Sequence, residues 1–152
     1  MKRQQVLEKI DTSWNEFVMA YADLSDTQLT QPGVTGDWSV KDLIAHVSWW
    51  EEESLKHLPL ILKGLPTPRY SVLYGGIDAF NAQMTELKRN TSLSEVLKEA
   101  AATHQKLIEY LSSIPDEQFT SETRFRRRLG YDSFKHYPIH TAAILAWREN
   151  QM

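Results

Sequence analysis

Apolar residues recur along this chain at intervals of three and four, and no stretch of strand length alternates apolar with polar. That spacing puts them on one face of a helix and leaves no half-buried strand to pair, so the chain is expected to fold as an all-α protein. Val6, Leu7, Ile10, Trp14, Phe17, Val18, Tyr21 and Leu24 form the first stripe, which predicts a helix from about Lys2 to Leu24. Gln31-Pro32-Gly33 and Gly36 interrupt the pattern. Ser39, three residues ahead of Asp42, has the spacing of an N-terminal cap, and behind it Leu43, Val47, Trp50, Leu55 and Leu58 carry a second helix that fades toward Gly64.

Gly64 to Gly76 holds Pro66, Pro68 and a Gly75-Gly76 pair and reads as a loop. A shorter helix is expected from Ile77 to Arg89. Ser92 with Glu95 makes a clearer cap, followed by the strongest stripe of the chain, through Leu93, Val96, Leu97, Ala100, Leu107, Ile108 and Leu111, expected to run to about Ser113. The last helix is expected from about Ser133 to Glu149, with His136, His140, Ala143, Ile144 and Trp147 on one side. The expected architecture is an up-and-down four-helix bundle forming a single domain over residues 1–152, with an additional short helical segment and loops at the ends. Bundles of this kind build their sites between facing helices.

Three histidines carry the chemistry. His136 and His140 are one helical turn apart, and His46 lies on the inward side of the second helix, between Leu43 and Trp50. Three imidazoles meeting at one point would hold a divalent transition metal and leave a coordination position open for water or substrate. Pro138 stands between the pair: a helix starting near Ser133 tolerates it with a bend, whereas one starting at Pro138 would take His136 off the shared face. Three imidazoles suit zinc, nickel, cobalt, copper and iron alike, with zinc or nickel the first choices.

The chain has 152 residues, no cysteine and a formal net charge of −3. With no thiol of its own, it can hold a metal only through His, Asp or Glu, and a sulfur nucleophile would have to arrive as a cosubstrate. The mild acidity argues against nucleic acid as a partner. Met1 to Gln5 runs into mixed polar sequence with no leader-like apolar core, and no run approaches a membrane span, so a soluble, cytoplasmic protein with no membrane partner is expected.

Other residues invite plainer readings. His104, between Ala101 and Ile108, reads as a hydrogen-bonded core or boundary residue, and His57 as an imidazole near a helix C-terminus, favoured there by the dipole. Glu51, Glu52 and Glu53 read as a solvated face. Arg124, Arg126, Arg127 and Arg128 read as a solvated loop leading into the last helix, although a guanidinium there, Arg126 for instance, could grip a carboxylated cosubstrate. Trp38, Trp49 and Trp50 read first as packing residues, with Trp49 and Trp50 as candidates for lining a pocket.

The stretch Gly36-Asp37-Trp38-Ser39-Val40-Lys41-Asp42-Leu43-Ile44-Ala45-His46-Val47 resembles the second-helix motif of the DinB/YfiT-like superfamily. Asp78-Ala79-Phe80-Asn81-Ala82-Gln83 is similar to its third-helix segment, and His136-Tyr137-Pro138-Ile139-His140 to its final ligand motif, with the ClbS/DfsB-like branch the nearest in look. The resemblance implies a four-helix bundle with a divalent metal on His46, His136 and His140, and thiol-dependent transferase or isomerase chemistry, often in dimers. Where many relatives follow the second ligand with Arg and Gln, this chain has Thr141, Ala142 and Ala143.

Together these features lead to the expectation of a metal-dependent enzyme of stress or detoxification. A low-molecular-weight thiol or water, activated by the metal, would attack a small electrophile, as in a thiol S-transferase or a hydrolase, in a chain that could form a homodimer. The alternative is a bundle without catalysis that sequesters a small molecule or serves as a dimeric interaction module, its histidines structural.

Overall fold

The structure is a computed structural model that describes residues 2–120 and 122–151. In chain order its α-helices are α1 (Arg3–Tyr21), α2 (Asp26–Thr30), α3 (Val40–Leu62), α4 (Tyr70–Leu73), α5 (Ile77–Lys88), α6 (Leu93–Ser112), α7 (Arg124–Asp132) and α8 (Tyr137–Asn150), with a 3-10 turn at Asp116–Gln118. Among the described residues the only β contact is an isolated bridge between Thr35 and Trp38. The long helices α1, α3, α6 and α8 form the expected four-helix bundle, in which α1 and α3 each pack against α6 and α8. No helix among the described residues is long and apolar enough to cross a membrane.

The caps read from the sequence are in place. Ser39 Oγ accepts from the Asp42 amide at 3.2 Å while Asp42 Oδ2 accepts from the Ser39 amide at 2.9 Å, and Ser92 Oγ accepts from the Glu95 amide at 3.2 Å. Behind them the apolar stripes face inward: Ile10 and Phe17 of α1, Leu43 and Val47 of α3, Leu107 and Leu111 of α6, and Ile144 of α8 are all fully buried.

Helix α3 is the spine. It also packs against α2, α5 and α7, so that 14 of its 23 residues are buried. This overturns the reading of Glu51 to Glu53 as a solvated face: Glu51 is 0 % exposed, Glu53 is 6 % exposed, and only Glu52 is half-buried. A helix packed on this many sides buries polar positions that a two-sided helix would leave in water, and those side chains must find partners within the protein.

Other boundaries move for local reasons. Helix α1 ends at Tyr21 rather than Leu24 because Ser25 starts a new helix, exchanging two hydrogen bonds with Gln28 at 2.9 and 3.2 Å. The segment from Gly64 to Gly76, expected as loop, contains α4. The arginine cluster is helix α7, not a solvated loop: Thr123 Oγ1 caps the Arg126 amide at 3.0 Å, and Phe125 and Leu129, four apart, are both fully buried. The last helix starts at Tyr137 instead of Ser133, after a turn whose backbone bonds run from Lys135 to Gly130 and from His136 and Tyr137 to Ser133. Gly130 lets the Phe134 ring pack close there, since a Cβ would lie 3.1 Å from it and the ring would have to give by a few tenths of an ångström.

The stripe assignment is checked by truncation. Leu107→Ala, in the fully buried α3–α6 contact, should lower stability by about 2–5 kcal/mol in urea unfolding, whereas Leu87→Ala, at a side chain 72 % exposed, should change it by less than about 0.5 kcal/mol. Similar losses at both positions would mean that the apolar stripes had been assigned to the wrong faces.

Candidate metal centre

His46, Trp50, Ser54 and His57 lie on one side of α3, spaced by three and four, and this side meets α7 and the start of α8. His46 Nε2 is 3.0 Å from His136 Nε2, which is 2.9 Å from His140 Nε2. His136 stands immediately before α8, but its backbone is helical (φ −98°, ψ −51°), so it keeps the one-turn relation to His140 although the helix starts beyond it. Pro138 falls in the first turn, where no amide donor is needed. The start of α8 thus falls between the two cases weighed from the sequence, and the shared face survives.

A neutral imidazole has one N–H and one lone pair. Three Nε2 atoms facing one another leave lone pairs opposed or force protons inward, and the Nδ1 atoms of His46 and His136 are enclosed without a partner. Protonation does not relieve this. Burial and the neighbouring imidazoles His136 and His140 push His46 down to about 2, burial and His140 push His136 to about 3, and burial alone takes His140 to about 4. A tetrahedral ion with metal–nitrogen bonds of about 2.0–2.1 Å places its ligand nitrogens roughly 3.3 Å apart; the two spacings that involve His136 are a few tenths of an ångström shorter, and the three ligand atoms all lie within 4.8 Å of one another. The donor set therefore fits a divalent cation, which would turn opposed lone pairs into bonds and fix both Nδ1 atoms as N–H.

The imidazoles are oriented by packing. Trp38 and Trp49 lie 4.9 and 5.2 Å from the His46 ring, centroid to centroid. The two indoles of Trp49 and Trp50 both donate to Asn81 Oδ1, at 3.1 and 2.9 Å, which ties α5 to α3 beside the cluster. On the other side of α3, Glu51 Oε2 accepts from Tyr137 at 2.7 Å and His104 Nδ1 at 2.7 Å, joining α3 to α6 and to the residue after His136. Burial raises the Glu51 carboxyl and the Tyr137 hydroxyl. His104, stacked on Trp14 at 3.8 Å, is the hydrogen-bonded boundary residue that its position suggested.

The three histidines open into a cavity of about 600 Å3 whose walls include Trp50, Tyr70, Asn81, Arg128 and Asp132. Ile77, Tyr131 and Ile139, all more than half exposed, form its apolar rim. Of the pocket residues expected from sequence, Trp50 is in the wall, whereas Trp49 is buried behind His46 and Arg126 is turned away, paired with Glu122 at 3.4 Å. The arginine that reaches the cavity is Arg128, two positions further on the helical repeat. It donates to Asp132 Oδ2 at 2.7 Å, His57 Nδ1 at 2.8 Å and Tyr70 at 2.9 Å, and Tyr70 in turn donates to Glu53 at 3.0 Å. His57 is therefore a buried, neutral acceptor, with burial and the Arg128 charge lowering its pKa, and not an imidazolium at a helix end. Sequence reasoning named Arg128 only as one of the cluster, and missed Asp132 and Tyr70. The i, i+4 spacing of Arg128 and Asp132 was the available signal once the segment is read as helix.

A family model for the DinB superfamily matches residues 9–150. Two solved structures are similar to this chain across 99 % of its length, each with a TM-score of 0.82: an uncharacterised protein from Escherichia coli UTI89, at 15 % identity over 94 % of that chain, and the protein DfsB, described as a sibling lethal factor precursor, at 14 % identity over 97 % of that chain. At these identities the likeness is one of fold. No curated protein matches the sequence.

Neutral imidazoles in the fold have a consequence for the metal-free protein. Unfolded imidazoles take up protons below about pH 6.5, and the folded ones not until about 2 to 4. The unfolded state then binds the extra protons, so the histidines' contribution is complete above pH 6.5 and is lost as pH falls below it, by up to about 1.4 kcal/mol per pH unit for each ring. Glu51 and Asp132, whose carboxyls burial raises, act in the opposite sense, so the comparison with a variant isolates one ring. In urea unfolding with a chelator present, His46→Gln should show a slope of stability against pH shallower by about one proton between about pH 6 and pH 5. An unchanged slope would show that the fold does not hold His46 neutral.

Proposed function

We propose that this chain, which belongs to the DinB superfamily, holds one divalent transition metal on His46, His136 and His140 and catalyses attack by a low-molecular-weight thiol or by water on a small electrophile. The observation that carries this reading is the meeting of three uncharged imidazole nitrogens at the wall of a substrate-sized cavity. When bound, the cation would act as a Lewis acid and lower the pKa of a thiol or water at the open position, which suits zinc or nickel.

The chain's own residues define the rest. With no cysteine, the protein offers no thiol to compete with a cosubstrate. Trp50 and Tyr70, with ring centroids 5.2 Å apart, form an aromatic wall, and the Arg128 guanidinium lies 6.0 and 5.8 Å from their rings. This wall, with the apolar rim, favours a ligand with an apolar body. The remaining cluster arginines make contacts within the chain, Arg124 to the Leu65 carbonyl at 3.4 Å, Arg127 to the Glu122 carbonyl at 3.0 Å and Arg126 to the Glu122 carboxylate at 3.4 Å.

Protein purified without an affinity tag and supplemented with zinc or nickel should carry about one equivalent of metal per chain by plasma mass spectrometry. His46→Ala, His136→Ala and His140→Ala should each weaken it at least about tenfold. The loaded protein should accelerate conjugation of a thiol to a test electrophile, or hydrolysis of that electrophile, and the chelated protein should not. Absence of bound metal after supplementation would sink the metal-site reading, and stoichiometric metal without turnover across a panel would favour sequestration of a ligand over catalysis.

A further inference from the structure

We infer that Asp132 is the proton-accepting catalytic residue of the histidine pocket, held for that task by Arg128 and Ser54. This rests on the reading that a thiol or water attacks in that pocket. Asp132 is 4 % exposed and lines the same cavity as His46, His136 and His140. Both hydrogen bonds to it land on one oxygen: Oδ2 accepts from Ser54 Oγ at 2.5 Å and from Arg128 Nε at 2.7 Å. Oδ1 accepts from no described residue, and the side chain that carries it lines the cavity. The Arg128 contact lies within α7 and the Ser54 contact reaches α3, so both structural tasks of the carboxylate fall on Oδ2 and leave Oδ1 unused by them.

The other acceptors of the pocket are already committed. Asn81 Oδ1 takes both tryptophan N–H groups, and an amide is no base. His57 Nδ1 is occupied by Arg128, and Glu53 by Tyr70 and by Lys56 at 3.1 Å. Burial pushes the Tyr70 hydroxyl up, so it stays protonated. The imidazole lone pairs face one another and would be taken by the metal. Asp132 alone presents a free carboxylate oxygen. Burial raises its proton affinity, helped by the charge of Glu53, against the lowering by Arg128 and Ser54, and the net direction is upward. That direction brings a carboxylate closer to the range in which it can exchange protons near neutrality.

The step balances without an oxidant or reductant. The S–H or O–H proton of the nucleophile passes to Asp132 Oδ1 as its lone pair forms a bond to the electrophilic carbon. The bond broken at that carbon leaves its electron pair on the departing atom, which takes the proton back from Asp132.

The test compares wild type with Asp132→Asn, which retains an oxygen for Ser54 and Arg128. Zinc affinity and Tm should stay close to wild type, while kcat/KM for thiol conjugation or hydrolysis falls by about 100-fold or more and its acid limb disappears. A rate within threefold of wild type, with the acid limb kept, would overturn the assignment. Independently of turnover, the aspartate carboxyl carbons should be followed by NMR. One signal, missing in Asp132→Asn, should titrate above the usual carboxylate range. An Asp132 signal that does not titrate there would overturn the inference even if wild type turned over nothing, an outcome that would separately remove the functional reading beneath it.

Discussion

Everything else in this structure depends on the burial of α3. A helix packed by α2, α5, α6, α7 and α8 keeps little of its surface for water, yet among its 14 buried residues are His46, Glu51, Glu53, Ser54 and His57. Each of these must be satisfied by a neighbour or stand as an expensive orphan. Ser54 and His57 are satisfied by Asp132 and Arg128 of α7, Glu53 by Tyr70 of α4, and Glu51 by Tyr137 of α8 and His104 of α6. The polar positions of one helix thus tie it to four others. His46 is the exception. Its Nδ1 has no partner among the described residues and its Nε2 faces the His136 imidazole; a cation at Nε2 would use that lone pair, while Nδ1 stays an enclosed N–H.

The same burial sets the electrostatics. Three rings that cannot be protonated without desolvation and mutual repulsion are pre-set in the ligating form, so no proton has to be displaced near neutral pH for a metal to bind. Their orientation comes from Trp38, Trp49 and the indole–Asn81 hydrogen bonds more than from acceptors on Nδ1. The fixed charges of the wall nearly cancel, since Arg128 is paired with Asp132, and a bound dication would make the cavity cationic, a field that favours the anionic form of a nucleophile.

Much of this was legible in the sequence because it is periodic. The helical stripes, the Ser39 and Ser92 caps and the inward placement of His46, His136 and His140 follow from spacing, and spacing survives folding. What was not legible depends on how many neighbours a helix acquires. Glu51 and Glu53 look like a solvated face until five helices close around α3, and His57 looks like a helix-end cation until Arg128 arrives from 71 residues away. The arginine run hid α7 because its charge outweighed the Phe125–Leu129 pair and the Thr123 cap, and with the helix unread, Arg126 was the apparent pocket residue in place of Arg128.

The central claim is that these three imidazoles share one cation. X-ray absorption at the metal edge of zinc-loaded protein tests it most directly. The expected result is a low-atomic-number shell at about 2.0–2.1 Å with the multiple scattering of three imidazole rings, falling to two rings in His140→Ala. A shell of oxygen ligands without imidazole scattering, or a spectrum unchanged in that variant, would contradict the account.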